Sequence, residues 1–490
     1  MKHKTVRALT LLLVLLMLLA SVVSCTEEPL VQPPDDSTST TPTTPESGDE
    51  NDPKLAPVDY EGYEFCILTH DEEGFWAEED LGQPINDAVF RRNTYLEEKY
   101  NIIIKVETCT FNGYLSKIET ASMGDITDAF DLINASIAYA YQLSTKGYLL
   151  EMDQYPVVDL TRSYWWQNVL EDTSVAGKNY FAINDSCLES FYQMSVVIFN
   201  KEIAAAQEME SFFDMVKEGD WTLEAFCSLS KEAYTDATGD GVTLDDTFGT
   251  TGNSYMTDCF IYGWDMLYVE KDENDLPVLN LTGNQKFFNA FETVTALFND
   301  ETTLYGEFQS GTNARQTVPE ETFHSGRSLF WVESLGWAET LRAIDLPFGL
   351  LPMPKIDKEQ QEYTNCIHAW ASTAISVMKV STDLTRTGTI LEDMAYISQK
   401  EIRPTYYDII LTGRIVYDAE SYEMLPYILD NIRVDLAMVF RQSGFTLVDD
   451  LRTIATNNWN AAARLPRYLN SYEIILGRLT ESFFPESSES

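Results

Sequence analysis

The sequence predicts an α/β protein of two lobes, each a mainly parallel sheet flanked by helices. Three observations carry that prediction. Short apolar runs alternate with helical periodicity along the chain, the pattern of strands joined by crossover helices and covered on both faces. A chain of 490 residues is longer than one hydrophobic core ordinarily supports. Hydrophobic residues make up 44% against 23% charged, a globular composition rather than that of a disordered chain.

The elements follow in order. Lys2, Lys4 and Arg7 precede the apolar run Leu9–Ala20, which falls short of the ~20 residues that span a bilayer. Residues 1–24 therefore read as a secretory signal rather than a membrane helix. Ser21-Val22-Val23-Ser24-Cys25 resembles the lipobox of bacterial lipoproteins, which implies a diacylated Cys25 that anchors the chain outside the cytoplasm. Residues 25–57 are rich in Pro, Ser, Thr and acid, and read as a disordered tether.

Tyr63–Leu68 and Asn101–Val106 are strand-like, and Asn86–Tyr100 carries the helical stripe Ala88, Phe90, Tyr95, Leu96. Phe130–Asn134 is a further strand, followed by a helix over Tyr139–Lys146 and a stop at Gly147. Val196–Asn200 marks a crossing to the second lobe, and Thr222 caps the next helix. Helical Asn284–Phe298, the strand Ser328–Val332 and the Pro-punctuated Phe348–Pro354 follow, the last leading back to the first lobe. Ala374–Val377 reads as a strand, Leu391–Ser398 as a helix, and the C-terminal third as helical, with stripes in Met424–Ile432 and Leu469–Leu479. These boundaries give lobe 1 as residues 58–198 with 346–400, lobe 2 as 199–345 with 401–484, and a tail at 485–490.

Charge narrows the function. With 33 Lys+Arg against 78 Asp+Glu the net charge is −45, so the surface repels phosphate backbones and nucleic acid is excluded as a partner. The seven Cys form no CxxC pair and only four His are present, which argues against zinc. No HExxH, GxSxG or GxxxxGK motif occurs, so catalysis has no support. The cysteines after Cys25 (66, 109, 187, 227, 259, 366) show no readable pairing.

Four phrases in order, VVIFNK, DWTLEAFCSLSKEA, FHSGRSLFWVESLGW and FGLLPMPK, together resemble the extracellular solute-binding proteins of ABC importers. More narrowly they are similar to the carbohydrate-type group (family 1) that includes maltose-binding proteins. The resemblance covers residues 60–440. It implies the type II periplasmic-binding-protein fold, with a ligand cleft between lobes joined by crossing segments. It further implies a monomeric, non-enzymatic binder that closes on an oligosaccharide and hands it to permease subunits.

A sugar is held by flat apolar faces against its C–H side and by planar polar groups on its hydroxyls. The candidates are Trp331, Glu333 and Trp337 after the strand SLFWV, Trp370, the glycine-flanked Trp264 and Tyr255, and from the first lobe Trp76, His70, Asp71, Asn184 and Asp185. Each Trp is equally readable as core, since large rings are routinely buried. Six aromatic candidates against few clustered Arg favour an uncharged ligand over a peptide or a charged solute. An exported carbohydrate-active enzyme is the remaining alternative.

A second motif runs from Asp236 to Asp246. Asp236, Thr238, Asp240 and the carbonyl of Val242 occupy positions 1, 3, 5 and 7 of a calcium loop, with Gly241 at position 6. Thr247 stands where a bidentate Glu is expected, leaving Asp245 or Asp246 to close the shell around one structural Ca2+.

Overall fold

The computed structural model describes residues 49–110, 113–124, 126–306, 314–407 and 418–484. The expected leader, Cys25, the tether up to residue 48 and the tail lie outside the described residues. The strands are β1 (Tyr63–Thr69), β2 (Ile102–Thr108), β3 (Leu132–Ser136), β4 (Ser195–Asn200), β5 (Phe248–Asn253), β6 (Val269–Lys271), β7 (Pro277–Leu279), β8 (Thr303–Gly306), β9 (Ser328–Ser334), β10 (Phe348–Leu351), β11 (Asn365–Cys366), β12 (Thr373–Ser376) and β13 (Ile432–Arg433). One sheet has the order β12-β3-β1-β2 and the other β10-β4-β9-β5-β8, with small pairs β11–β13 and β6–β7. Both larger sheets lie in one compact unit, residues 48–490. Among the described residues no helix is long and apolar enough to cross a membrane.

Sequence chemistry accounts for these elements. Every residue of β3 and of β4 is buried, as expected of strands covered on both faces. Between β1 and β2 the helix Pro84–Tyr100 starts with proline in its first turn and ends on left-handed Asn101, the usual asymmetry of helix ends. It packs on the helix Leu384–Thr405 along a polar seam: Lys99 meets Asp393 at 2.7 Å and Arg91 meets Glu401 at 2.8 Å. That second helix runs well past the expected Leu391–Ser398, because its first turn is capped by Asp383 rather than by an apolar stripe.

Each larger sheet is mixed. β1 runs parallel to β2 and β3, and β5 parallel to β8 and β9. The strands next to the crossings run antiparallel: β12 on β3, and β4 on both β9 and β10. A chain that leaves one sheet and later returns enters each from the opposite end.

At the junction of the two sheets three segments are stitched together. Met194 forms an antiparallel bridge with Ile367. Leu335 N–H donates to the Met194 carbonyl at 2.8 Å, His368 N–H to the Gln193 carbonyl at 3.3 Å, and Cys366 N–H to Ser195 Oγ at 3.0 Å. All six described cysteines carry free thiols.

The helix Leu223–Ala233, capped by Thr222, lies so close to β5 that a Cβ on Gly249 would sit 1.7 Å from the Ser230 carbonyl oxygen. A backbone atom cannot swing aside as a side chain can. Gly249→Ala is therefore expected to lower stability by about 1–3 kcal/mol, seen as an earlier urea midpoint with an unchanged slope; an unshifted midpoint would show that helix and strand separate freely.

Candidate functional site

Parallel strands present their C-terminal ends on one edge, where open α/β sheets place their ligand crevices. β5 and β9 pair in parallel with Thr251 opposite Trp331, which brings the residues that follow, Asn253 and Glu333, level with each other. Facing them are the end of the helix Leu188–Tyr192 and the loop before β12. The result is a cleft of about 700 Å³ lined by Tyr192, Gln193, Asn253, Ser254, Tyr255, Glu333, Ser334, Gly336, Trp337, His368, Trp370, Ala371, Arg441 and Arg452. Gly336 keeps the wall tight there: a Cβ would stand 3.2 Å from Tyr192 Cβ and 3.3 Å from its carbonyl oxygen, so a side chain would crowd Tyr192.

The polar groups are unequally satisfied. Glu333 is 4% exposed; its Oε1 accepts from Asn253 Nδ2 at 3.2 Å, while Oε2 has no hydrogen-bond partner among the described residues. Burial pushes its carboxyl up to about 7, since a low-dielectric site disfavours the charged form. His368 stands edge-on to the Tyr255 ring at 4.7 Å. Burial, followed by the charges of Arg452 and Arg441, pushes it down to about 3, so it is neutral. Arg452 is held by Asp258, with Nε at 2.8 Å, and Arg441 by Asp449 at 2.8 and 2.6 Å.

Of the expected site residues, Tyr255, Glu333, Trp337 and Trp370 meet in this cleft. Trp331 does not reach it. It pairs with Ile198 and Thr251 in mid-sheet, is 3% exposed and backs the Trp337 ring at 5.7 Å. Trp264 is buried just past the far end of the helix Met256–Gly263, about 13–14 Å along the axis from Tyr255. Trp76 lies on the surface, outside the cleft lining.

His70 shares a 2.8 Å hydrogen bond with the Tyr114 hydroxyl and lies outside the cleft lining, with rings between them: Tyr114 to Tyr139 at 6.5 Å and Tyr139 to Trp370 at 5.0 Å. Asp71 folds onto its own turn, its Oδ1 accepting from Glu73 N–H at 3.1 Å. Asn184 and Asp185 are fully buried. Asp185 is clasped by Arg403 at 2.8 and 2.9 Å, and Asn184 Oδ1 accepts from Ser186 N–H at 2.8 Å, so both shape the fold away from the cleft. The sequence reading missed Arg441 and Arg452, which no local motif marks.

The loop expected to hold calcium is closed by hydrogen bonds of its own. Asp236 turns its oxygens onto the N–H groups of Thr238, Gly239 and Gly241, and Asp246 onto those of Ala237 and Thr243. Asp240 bonds Thr238 Oγ1, and Asp245 is an exposed side chain 3.9 Å from Arg327. Among the described residues no three His, Cys, Asp or Glu side chains gather to hold a metal.

Residues 93–408 match the family model of the bacterial extracellular solute-binding proteins, in its family 8 branch. The chain belongs to that family. A solute-binding protein of ABC import is a binder and not an enzyme. Its fold is that of the sugar-binding protein MalE from Xanthomonas citri, at 12% identity and TM-score 0.57, over 86% of this chain and 97% of that one. It also resembles an ABC substrate-binding protein from Listeria monocytogenes in complex with cycloalternan (15% identity, TM-score 0.53, 85% and 99% covered). UgpB from Mycobacterium tuberculosis, in complex with glycerophosphocholine, is similar at 14% identity and TM-score 0.55, with 85% and 98% covered. No curated protein sequence matches this solute-binding protein.

Two outcomes follow from the site. The folded state holds the Glu333 proton more tightly than the unfolded chain, so this contribution is complete below about pH 4.5 and is lost as pH rises through about 7. Glu333→Gln should therefore gain on the parent protein by up to about 3 kcal/mol between pH 5 and 8, read from urea melts; parallel pH profiles would contradict the buried carboxyl. Chelator should leave the melting temperature unchanged, whereas a drop, with calcium found by elemental analysis, would restore the loop as a metal site.

Proposed function

We propose that this solute-binding protein captures an oligosaccharide in the cleft and delivers it to an ABC permease while tethered to the cell membrane through a lipid on Cys25. The observation that carries the reading is the pairing of Trp337 and Trp370 with Tyr255 around Glu333, Asn253 and Gln193. Half-buried rings offer stacking faces, and side-chain amides with a carboxyl answer hydroxyl groups. The cycloalternan complex and the sugar-binding MalE, both of the same fold, support the reading. The halves built on the two larger sheets, with β4 and β10 in the second rather than the first, act as lobes that close about the crossing segments. Closure is driven only by the extra contacts a ligand makes in the closed state. A second reading, a different polar solute, is favoured by the two arginines in the wall and by the glycerophosphocholine-bound relative.

Calorimetry of the full chain against a panel of oligosaccharides tests this. One site with heat release and no new reducing ends is expected. Trp337→Ala and Trp370→Ala should each weaken binding about tenfold or more, about 1.4 kcal/mol, while Trp76→Ala leaves it unchanged. Binding indifferent to Trp337 and Trp370 would move the site elsewhere.

A further inference from the structure

Resting on the carbohydrate reading, we propose that the cleft's saccharide carries an oxyanion, a carboxylate, sulfate or phosphate substituent, which docks on the outward Nη1 groups of Arg441 and Arg452. The sequence separates these arginines by a turn and a helix start, and the fold sets both in one wall of the cleft.

Each guanidinium is clasped from one side only. Arg441 uses Nε and Nη2 on Asp449, and Arg452 uses Nε and Nη2 on Asp258, leaving Nη1 of each uncommitted among the described residues. The clasping carboxylates do not line the cleft, whereas the arginines do. Asp258 is fully buried behind Arg452. A guanidinium pinned through one edge keeps its other N–H groups in a fixed fork, the geometry that receives an oxyanion with little loss of side-chain freedom.

The electrostatics point the same way. At His368, on the cleft wall, the fields of Arg452 and Arg441 act together, and no carboxylate offsets them. The positive faces of the two pairs are thus turned into the cleft and the negative faces away. The lining holds one carboxyl, Glu333, which burial keeps largely protonated up to neutral pH. In a chain of net charge −45, a pocket wall with two cations and one neutralised acid is a local reversal of sign. A purely neutral sugar gains nothing from that reversal that asparagine or glutamine would not supply. The expectation of an uncharged ligand rested on six aromatic candidates against few clustered arginines, and the fold brings two arginines that lie apart in sequence into one wall.

The test is a glycan array carrying neutral, uronic-acid, sulfated and phosphorylated oligosaccharides, probed with the full chain, followed by calorimetry of the best binder against its neutral counterpart. For a uronate that counterpart is the methyl ester of the same length. The acid should bind at least about tenfold more tightly. Raising salt from about 50 to 500 mM should weaken the acid and leave the ester nearly unmoved. Arg441→Gln should narrow the preference, and the salt series keeps the test decisive if that variant folds poorly. The array arm that responds names the oxyanion. A neutral saccharide that binds as well as or better than every acidic one overturns this inference and leaves the carbohydrate reading standing. Binding to no saccharide of either kind overturns both.

Discussion

The structure depends on the backbone stitching at the junction of its two sheets. Gln193, Met194 and Ser195 enter the second sheet, Ser334 and Leu335 leave β9, and Cys366 to His368 return toward the first sheet; carbonyls and N–H groups of these segments satisfy one another. Buried backbone groups must be paired, because an orphaned N–H or C=O forfeits about 1–3 kcal/mol. Meeting that demand at one place fixes three chain segments relative to each other. The next residues of each segment, Tyr192, Gly336 with Trp337, and Trp370, then have nowhere to go but the cleft wall. Binding chemistry is placed by the junction rather than by the loops alone.

The same economy explains the polar core around the cleft. Asp258 is buried, and burial alone pushes its carboxyl above the usual range; Arg452 pulls it back. Removing either partner would strand a charge, which makes such pairs costly to break even where they add little net stability. Arg452 therefore has two loyalties, to the fold through Asp258 and to the cleft through its other edge. Glu333 is the opposite case, a buried carboxyl whose second oxygen has no hydrogen-bond partner among the described residues.

Most of the architecture was legible because it rests on short-range chemistry. VVIFN, NIIIKV and SLFWV read as strands and are strands, and Thr222 caps the helix it was expected to cap. The helix Leu384–Thr405 was underestimated because its start is polar, and the sense of β4, β10 and β12 depends on where the chain crosses, which no local pattern states. The site was legible in part. Glu333 and Trp337 flank the end of a strand, where side chains reach the cleft, whereas Trp331, two residues before Glu333, is held in mid-sheet by pairing on both sides. Asn184 and Asp185 looked like cleft groups because they precede a crossing, but both are fully buried outside the cleft lining, with Asn184 Oδ1 held by Ser186 and Asp185 by Arg403. Arg441 and Arg452 come from C-terminal helices whose approach to the cleft is a property of the whole fold.

The central claim is that solute occupies the junction cleft. Hydrogen–deuterium exchange of the full chain, with and without a mixture of oligosaccharides, tests it most directly. Slowed exchange in the segments around 192–195, 253–255, 333–337 and 366–371 is the predicted result. Protection confined to another region, such as the one around Trp166 and Arg403, would contradict it.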